Sequence, residues 1–221
     1  MFDLQAYLSS LISSCKAAYG SRLCYIGLQG SHLRVEAAEN SDIDIMVVID
    51  GFTVADMDTY RTIIESLCDF EKSCGFICGK EDLANWNPLE ICQILHTTKD
   101  IVGELKSLVP DYTREDERNY VKLGINDLYH ALCHRYIHAP REKSVEKLPF
   151  FDKPLFFIIQ NLHYLESGDF VLKKQDLRES VCEEDRKMLD IGSLPEGYDF
   201  DMEFSRIFEW LKNAMKRVEK A

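Results

Sequence analysis

Apolar residues at the start of the chain recur with a helical period. Leu4, Leu8, Leu11, Ile12 and Cys15 share one face, Asp3 can cap the segment and Gly20 can end it, which predicts a helix over residues 3 to 19. The period then changes. Leu23 to Leu28 is a short apolar run, and Ile43 to Ile49 is continuous and rich in β-branched residues, so both read as strands. Ser31 to Ala38 has room for one or two helical turns between them. Thr53, with Asp56 three residues later, has the pattern of a capping box and opens a second helix that reads to about Phe70. Cys74 to Cys78 reads as a third strand, and Pro88 stands at the first position of a helix that the pattern carries to about Leu108.

Pro110 and Asp111 mark a boundary, and beyond it the pattern is helical throughout. Thr113 caps a segment whose first turn carries three acids, matched to the positive end of a helix dipole, and Pro140 stops it after His138. Residues 154 to 167 form another helix, ended by Gly168, and further helices fill 174 to 191 and 201 to 220. The expectation is therefore two domains, 1–110 and 111–221. The first is an α/β (α+β) domain with a small mixed sheet and a crossover connection, and the second is an all-α helical bundle.

Composition narrows the classes. With 26 basic and 38 acidic residues the formal charge is −12, which argues against a grip on long nucleic acid and suits a cationic small molecule, though acidity serves solubility alone in many proteins. No run of 18 apolar residues exists to span a membrane, and the opening "MFDLQAYLSS" lacks the basic start of a secretory leader. The eight cysteines form no CxxC pair and read as reduced thiols in a cytoplasmic protein.

The chemistry concentrates in "LQGSHLRVEAAENSDIDIMVVID", Leu28 to Asp50. On a strand, residues two apart face the same way, so Asp42 and Asp44 project together, about 5–7 Å apart, while Ile43 turns to the core. Two carboxylates so placed repel, and a hard divalent cation such as Mg²⁺ resolves that repulsion while also taking phosphate oxygens. Gly30 lets backbone approach a ligand closely, and Ser31 opens a short helix whose hydroxyl and amides can meet phosphate. A phosphate cradle facing a pair of acids is apparatus for phosphoryl or nucleotidyl transfer.

These residues resemble a known signature. Gly30-Ser31, the interval to Asp42, and Ser41-Asp42-Ile43-Asp44-Ile45 are similar to the motif of the DNA-polymerase-β-like nucleotidyltransferase superfamily, closest in look to the aminoglycoside (streptomycin/spectinomycin) adenylyltransferases. "LHYLESGDFVLKKQDLRESV", Leu162 to Val181, resembles the helical C-terminal domain of the same enzymes. The resemblance implies that Ser31 binds the triphosphate of ATP, that Asp42 and Asp44 bind Mg²⁺, and that AMP passes to a hydroxyl of a small molecule with release of pyrophosphate. The competing classes are a nucleotide-binding or antitoxin-like module without turnover and an AMP transferase acting on protein side chains.

The same family places a third acid near the start of the next core strand, as metal ligand or general base. Here that window reads Glu71-Lys72-Ser73-Cys74-Gly75-Phe76, in which Glu71 is the only acid and takes the role by default; a vacant position is the alternative and would weaken catalysis. Glu81 and Asp82 follow the strand, at its far end. His130, His134 and His138 make a stripe on one helix, read as packing or a cleft wall in preference to a metal site, because no HExxH or second ligand cluster accompanies them. The spacing of Arg135 to these histidines is too short for a ribonuclease motif. Lys80 reads as a solvated turn, Trp86 as a cleft wall with Asn85 and Asn87 or as packing under the next helix, and Asp127 and Glu166 as candidates for gripping an amino sugar.

Overall fold

In the computed structural model, which describes residues 3–221, Asp3 caps α1 (Leu4–Tyr19) by accepting from the backbone N–H groups of Gln5 and Ala6 at 3.0 and 3.1 Å. The chain continues through β1 (Leu23–Leu28), α2 (Gly30–Arg34), β2 (Ile43–Ile49), α3 (Val54–Glu65), β3 (Ser73–Gly79), α4 (Lys80–Ala84), α5 (Pro88–His96) and β4 (Lys99–Val102). The sheet order is β3-β2-β1-β4; β1 is antiparallel to both its neighbours, and α3 is the crossover that returns β3 parallel to β2. One face of the sheet sends Ile26, Leu28, Ile43, Ile45, Val47 and Ile49 against Leu8, Leu11 and Cys15 of α1 and Ile63 of α3. The other sends Tyr25, Met46, Val48 and Cys78 against Leu83 and Leu105. Both faces of β2 are thus buried, which is why its apolar run is continuous rather than alternating.

The structure differs from the sequence reading at two ends. α3 stops at Glu65 rather than near Phe70, and a 3-10 turn over Phe70–Lys72, entered through Asp69 at φ 64°, precedes β3. α5 ends at His96, and the stretch expected to continue as helix to Leu108 instead holds β4, which pairs with β1 through Ile26, Gly27 and Leu28. Helical periodicity does not register a four-residue edge strand whose structure is set by a distant partner.

At the start of α3 the Thr53 N–H and hydroxyl both donate to Asp56 at 2.8 Å, and Arg22 donates to both oxygens of the same carboxylate at 3.0 and 2.8 Å. The Arg22 guanidinium first, and the Thr53 hydrogen bonds second, hold the Asp56 carboxyl down at about 2. A carboxylate with a lowered folded-state value contributes stability that is complete above its ordinary range near 4 and is lost as pH falls through about 2. Urea midpoints measured from pH 5 to pH 2 should therefore fall more steeply for the natural protein than for Asp56→Asn.

A second compact unit begins at Tyr112, after the first ends at Asp111. It contains α6 (Arg114–His138), α7 (Arg141–Lys147), α8 (Asp152–Ser167), α9 (Lys174–Ser180), α10 (Glu183–Leu189) and α11 (Phe200–Val218). Thr113 and Asp116 form a capping box on α6, and Gly168 closes α8 at φ 77°. Ile125, Leu128 and Leu132 of α6 pack with Leu155, Ile159 and Leu162 of α8 and Ile207, Leu211 and Ala214 of α11. The buried Asp185 carboxylate pairs with the Arg217 guanidinium at 2.7 and 2.9 Å and accepts a hydrogen bond from the Trp210 indole N–H at 2.7 Å. Among the described residues no helix is long and apolar enough to cross a membrane.

Candidate active site

Asp42 is the residue before β2 and is exposed; Asp44 is the second residue of the strand and is half-buried. Alternation along β2 puts both on the face of Met46 and Val48, while Ile43 is fully buried on the other. The turn that delivers Asp42 is locked from within, because Ser41 accepts from the Ala38 N–H at 2.8 Å and its own N–H donates to the Ala38 carbonyl at 3.0 Å.

Gly30 meets Asp44 directly. The Gln29 N–H donates to the Asp44 carbonyl at 2.8 Å, which docks the end of β1 onto β2. Gly30 follows at φ 69°, and a Cβ built there would stand 1.9 Å from Asp44 Oδ2. Only glycine fits this position on both counts, backbone conformation and space. Ser31 sits one residue further on, half-buried in the single turn of α2. Gln29 is held on its other side, its amide donating to the Thr98 hydroxyl at 2.7 Å.

The residue opposite Asp44 is a cysteine. The parallel register pairs Asp44 with Cys74, so the Cys74 side chain rises beside Asp44 on the same face. Burial first, then the charge of Asp44, pushes its pKa up. The thiol therefore stays protonated near neutrality and supplies no negative charge. Glu71, the acid expected to complete the set, lies in the 3-10 turn before the strand and is exposed; the register gives the place opposite Asp44 to Cys74 instead. Asp82 is committed elsewhere, accepting from the Gly79 N–H at 3.1 Å to cap α4.

Two carboxylates on one face are donors that suit a hard cation, and the Gly30 backbone lies so close to the Asp44 carboxylate that no side chain fits between them. Among the described residues no group of three or more His, Cys, Asp or Glu converges. A cleft of about 730 Å³ opens by the loop that precedes β2, lined by His32, Glu39, Ser41, Asp69 and Lys72 among others.

Sequence reasoning missed a polar ladder on this face of the sheet. Tyr25 lies across Gly27 and donates to Asp100 on β4 at 2.6 Å; a Cβ at Gly27 would stand 2.3 Å from the Tyr25 oxygen. Burial, followed by this bond to a carboxylate, pushes the Tyr25 hydroxyl far above its ordinary range. The signal for it is a Tyr-x-Gly pattern inside a strand, which marks a side chain lying along its own sheet.

The remaining candidates find plain roles or places. Trp86 packs edge-on against Phe76 at 5.1 Å and donates to Glu90 at 2.7 Å. Lys80 is exposed at the start of α4. Glu166 accepts from Nε and Nη2 of Arg217 at 2.8 and 2.7 Å. Asp127 lines a largely apolar cavity of about 420 Å³ between α6 and α8, with Tyr120, Leu128, Phe157 and Asn161. All eight cysteines are free thiols.

No protein-family model matches this chain, and no curated protein matches it in sequence. In structure it is similar to a spectinomycin adenyltransferase from Enterococcus faecialis, solved with ATP and spectinomycin, at a TM-score of 0.57 and 13% identity, covering 98% of this chain and 100% of the other. A chain of a toxin-antitoxin, solved with AMP-PNP, aligns at a TM-score of 0.33 and 19% identity over 58% of this chain and 92% of the other. The first likeness shows the fold: a domain with a small mixed sheet, followed by a helical domain.

Proposed function

We propose that this chain is a nucleotidyltransferase that binds a magnesium–nucleoside triphosphate, ATP before others, on Gly30, Ser31, Asp42 and Asp44 and passes AMP to a hydroxyl of a small molecule. The observation that carries the reading is the approach of Gly30 to the Asp44 carboxylate, which brings the Gly30-Ser31 turn against the strand end that carries two like-charged side chains. The fold supports ATP as donor, because the spectinomycin adenyltransferase of the same architecture was solved with it. The net charge of −12 supports an aminoglycoside-like cation as acceptor.

Asp42 and Asp44 would hold Mg²⁺, which would neutralise charge on the phosphates and on the departing pyrophosphate. Ser31 would donate its hydroxyl to a phosphate oxygen. The acceptor oxygen forms a bond to the α-phosphorus as the bond to pyrophosphate breaks, and the acceptor's proton leaves to solvent. Cys74 favours a second reading of the same site. With a thiol and no carboxylate opposite Asp44, that position supplies no base, and the site would bind nucleotide without turning it over.

One experiment separates the readings. The protein is incubated with α-labelled ATP, Mg²⁺ and a panel of aminoglycosides, and both pyrophosphate and label are followed. Transfer predicts label on an amino sugar and a loss of about 10²-fold or more in Asp42→Asn. Gly30→Ala should cause a comparable loss without changing any charge. The binding-only reading predicts Mg²⁺-dependent nucleotide affinity with no pyrophosphate. Equal pyrophosphate release by the natural protein and Asp42→Asn would remove these residues from the site.

A further inference from the structure

The three histidines that the sequence sets on one stripe of α6 take no part in the site above, and they are not packing residues either. His130, His134 and His138 are all exposed. The ring centres of His134 and His138 lie 4.8 Å apart, and those of His130 and His134 lie 5.9 Å apart. Both pairs follow from the i, i+4 neighbourhood on a helix, but they differ in what they can hold. A metal–imidazole bond is about 2.0–2.1 Å, so two imidazoles meeting on one ion at roughly 90–110° have ring centres about 4.5–5.2 Å apart. The His134–His138 pair has that separation, and the His130–His134 pair is too wide for it.

The surroundings agree. The pair lies at the C-terminal end of α6, where the negative end of the helix favours a bound cation. A cleft of about 390 Å³, lined by the three rings with Ala131, Arg135, Ala139 and Phe151, leaves room for further ligands. Because no three His, Cys, Asp or Glu converge among the described residues, those ligands are water or an anion, and Arg135 in the same cleft suits the anion.

We propose that His134 and His138 form a two-imidazole surface site for a borderline divalent transition-metal ion of the Zn²⁺, Ni²⁺ and Cu²⁺ class, with His130 outside it. Imidazole nitrogen suits these ions and not Mg²⁺, so this site and the aspartate pair select different metals. The test titrates Ni²⁺ into the full chain, carrying no affinity tag and with its exposed thiols alkylated, and reads binding by calorimetry. The natural protein should take up a single ion with micromolar affinity. His134→Ala and His138→Ala should each weaken it by at least about tenfold, and His130→Ala should leave it within about twofold. All three side chains are exposed, and circular dichroism checks that each variant stays folded. Absence of Ni²⁺ binding, undiminished binding in His134→Ala, or a loss in His130→Ala equal to that in His138→Ala would each overturn the proposal.

Discussion

Replacing Cys74 by aspartate should raise pyrophosphate release by about 10²-fold or more, the usual contribution of a positioned general base. The expectation rests on the proposed nucleotidyl transfer and on the register that sets Cys74 opposite Asp44. It comes with a physical cost that is itself measurable. A third carboxylate beside Asp42 and Asp44 adds repulsion on the order of 4 kcal/mol for charges about 4 Å apart at an intermediate dielectric, and one of the three would respond by taking up a proton. A divalent cation cancels that repulsion. Thermal midpoints of Cys74→Asp should therefore lie below those of the natural protein in chelator and recover on addition of Mg²⁺, whereas the natural protein should respond less. A metal response without a gain in turnover would mean that proton removal does not limit the reaction. Neither response would mean that residue 74 does not face the acids.

The largest loss of stability is expected one residue further along. A Cβ at Gly75 would stand 2.0 Å from the Ile45 carbonyl oxygen and 2.6 Å from the Ile45 nitrogen, at a φ of 135°. The obstacle is the backbone of β2, which is paired on both sides and cannot yield as a flexible side chain would. Gly75→Ala should cost about 3–5 kcal/mol, a large share of the ~5–15 kcal/mol that holds an ordinary domain together. Urea denaturation checks it, with Cys74→Ala as a neighbouring control that should cost far less. A loss under ~1 kcal/mol in Gly75→Ala would show that β3 can slide away from β2.

Much of this architecture is written in short-range signals. Asp3 and Gly20 bound α1, Thr53 and Asp56 start α3, and Thr113 and Pro140 frame α6, because caps and breakers act on residues within one turn. β2 was legible from end to end, since burial on both faces makes its composition extreme. What failed depended on distant partners. Lys99 to Val102 is half polar and four residues long, and it is a strand only because the edge of β1 was open to it. The site divides along the same line. Spacing alone suggested Gly30 near Asp44, but the identity of the residue opposite Asp44 turns on a register of single residues. Glu71 lies in the 3-10 turn before β3, and Cys74 is the residue paired with Asp44. Nothing local to residues 71 to 76 encodes that pairing.

The late arrival of β4 has a practical consequence for anyone dividing the chain. A fragment ending after α5 would retain every acid and glycine of the site yet leave β1 as a bare strand edge, with Tyr25 and Gln29 stripped of Asp100 and Thr98. Unpaired edges recruit other strands, so such a fragment should self-associate, and the shortest useful N-terminal piece has to carry the chain past Val102.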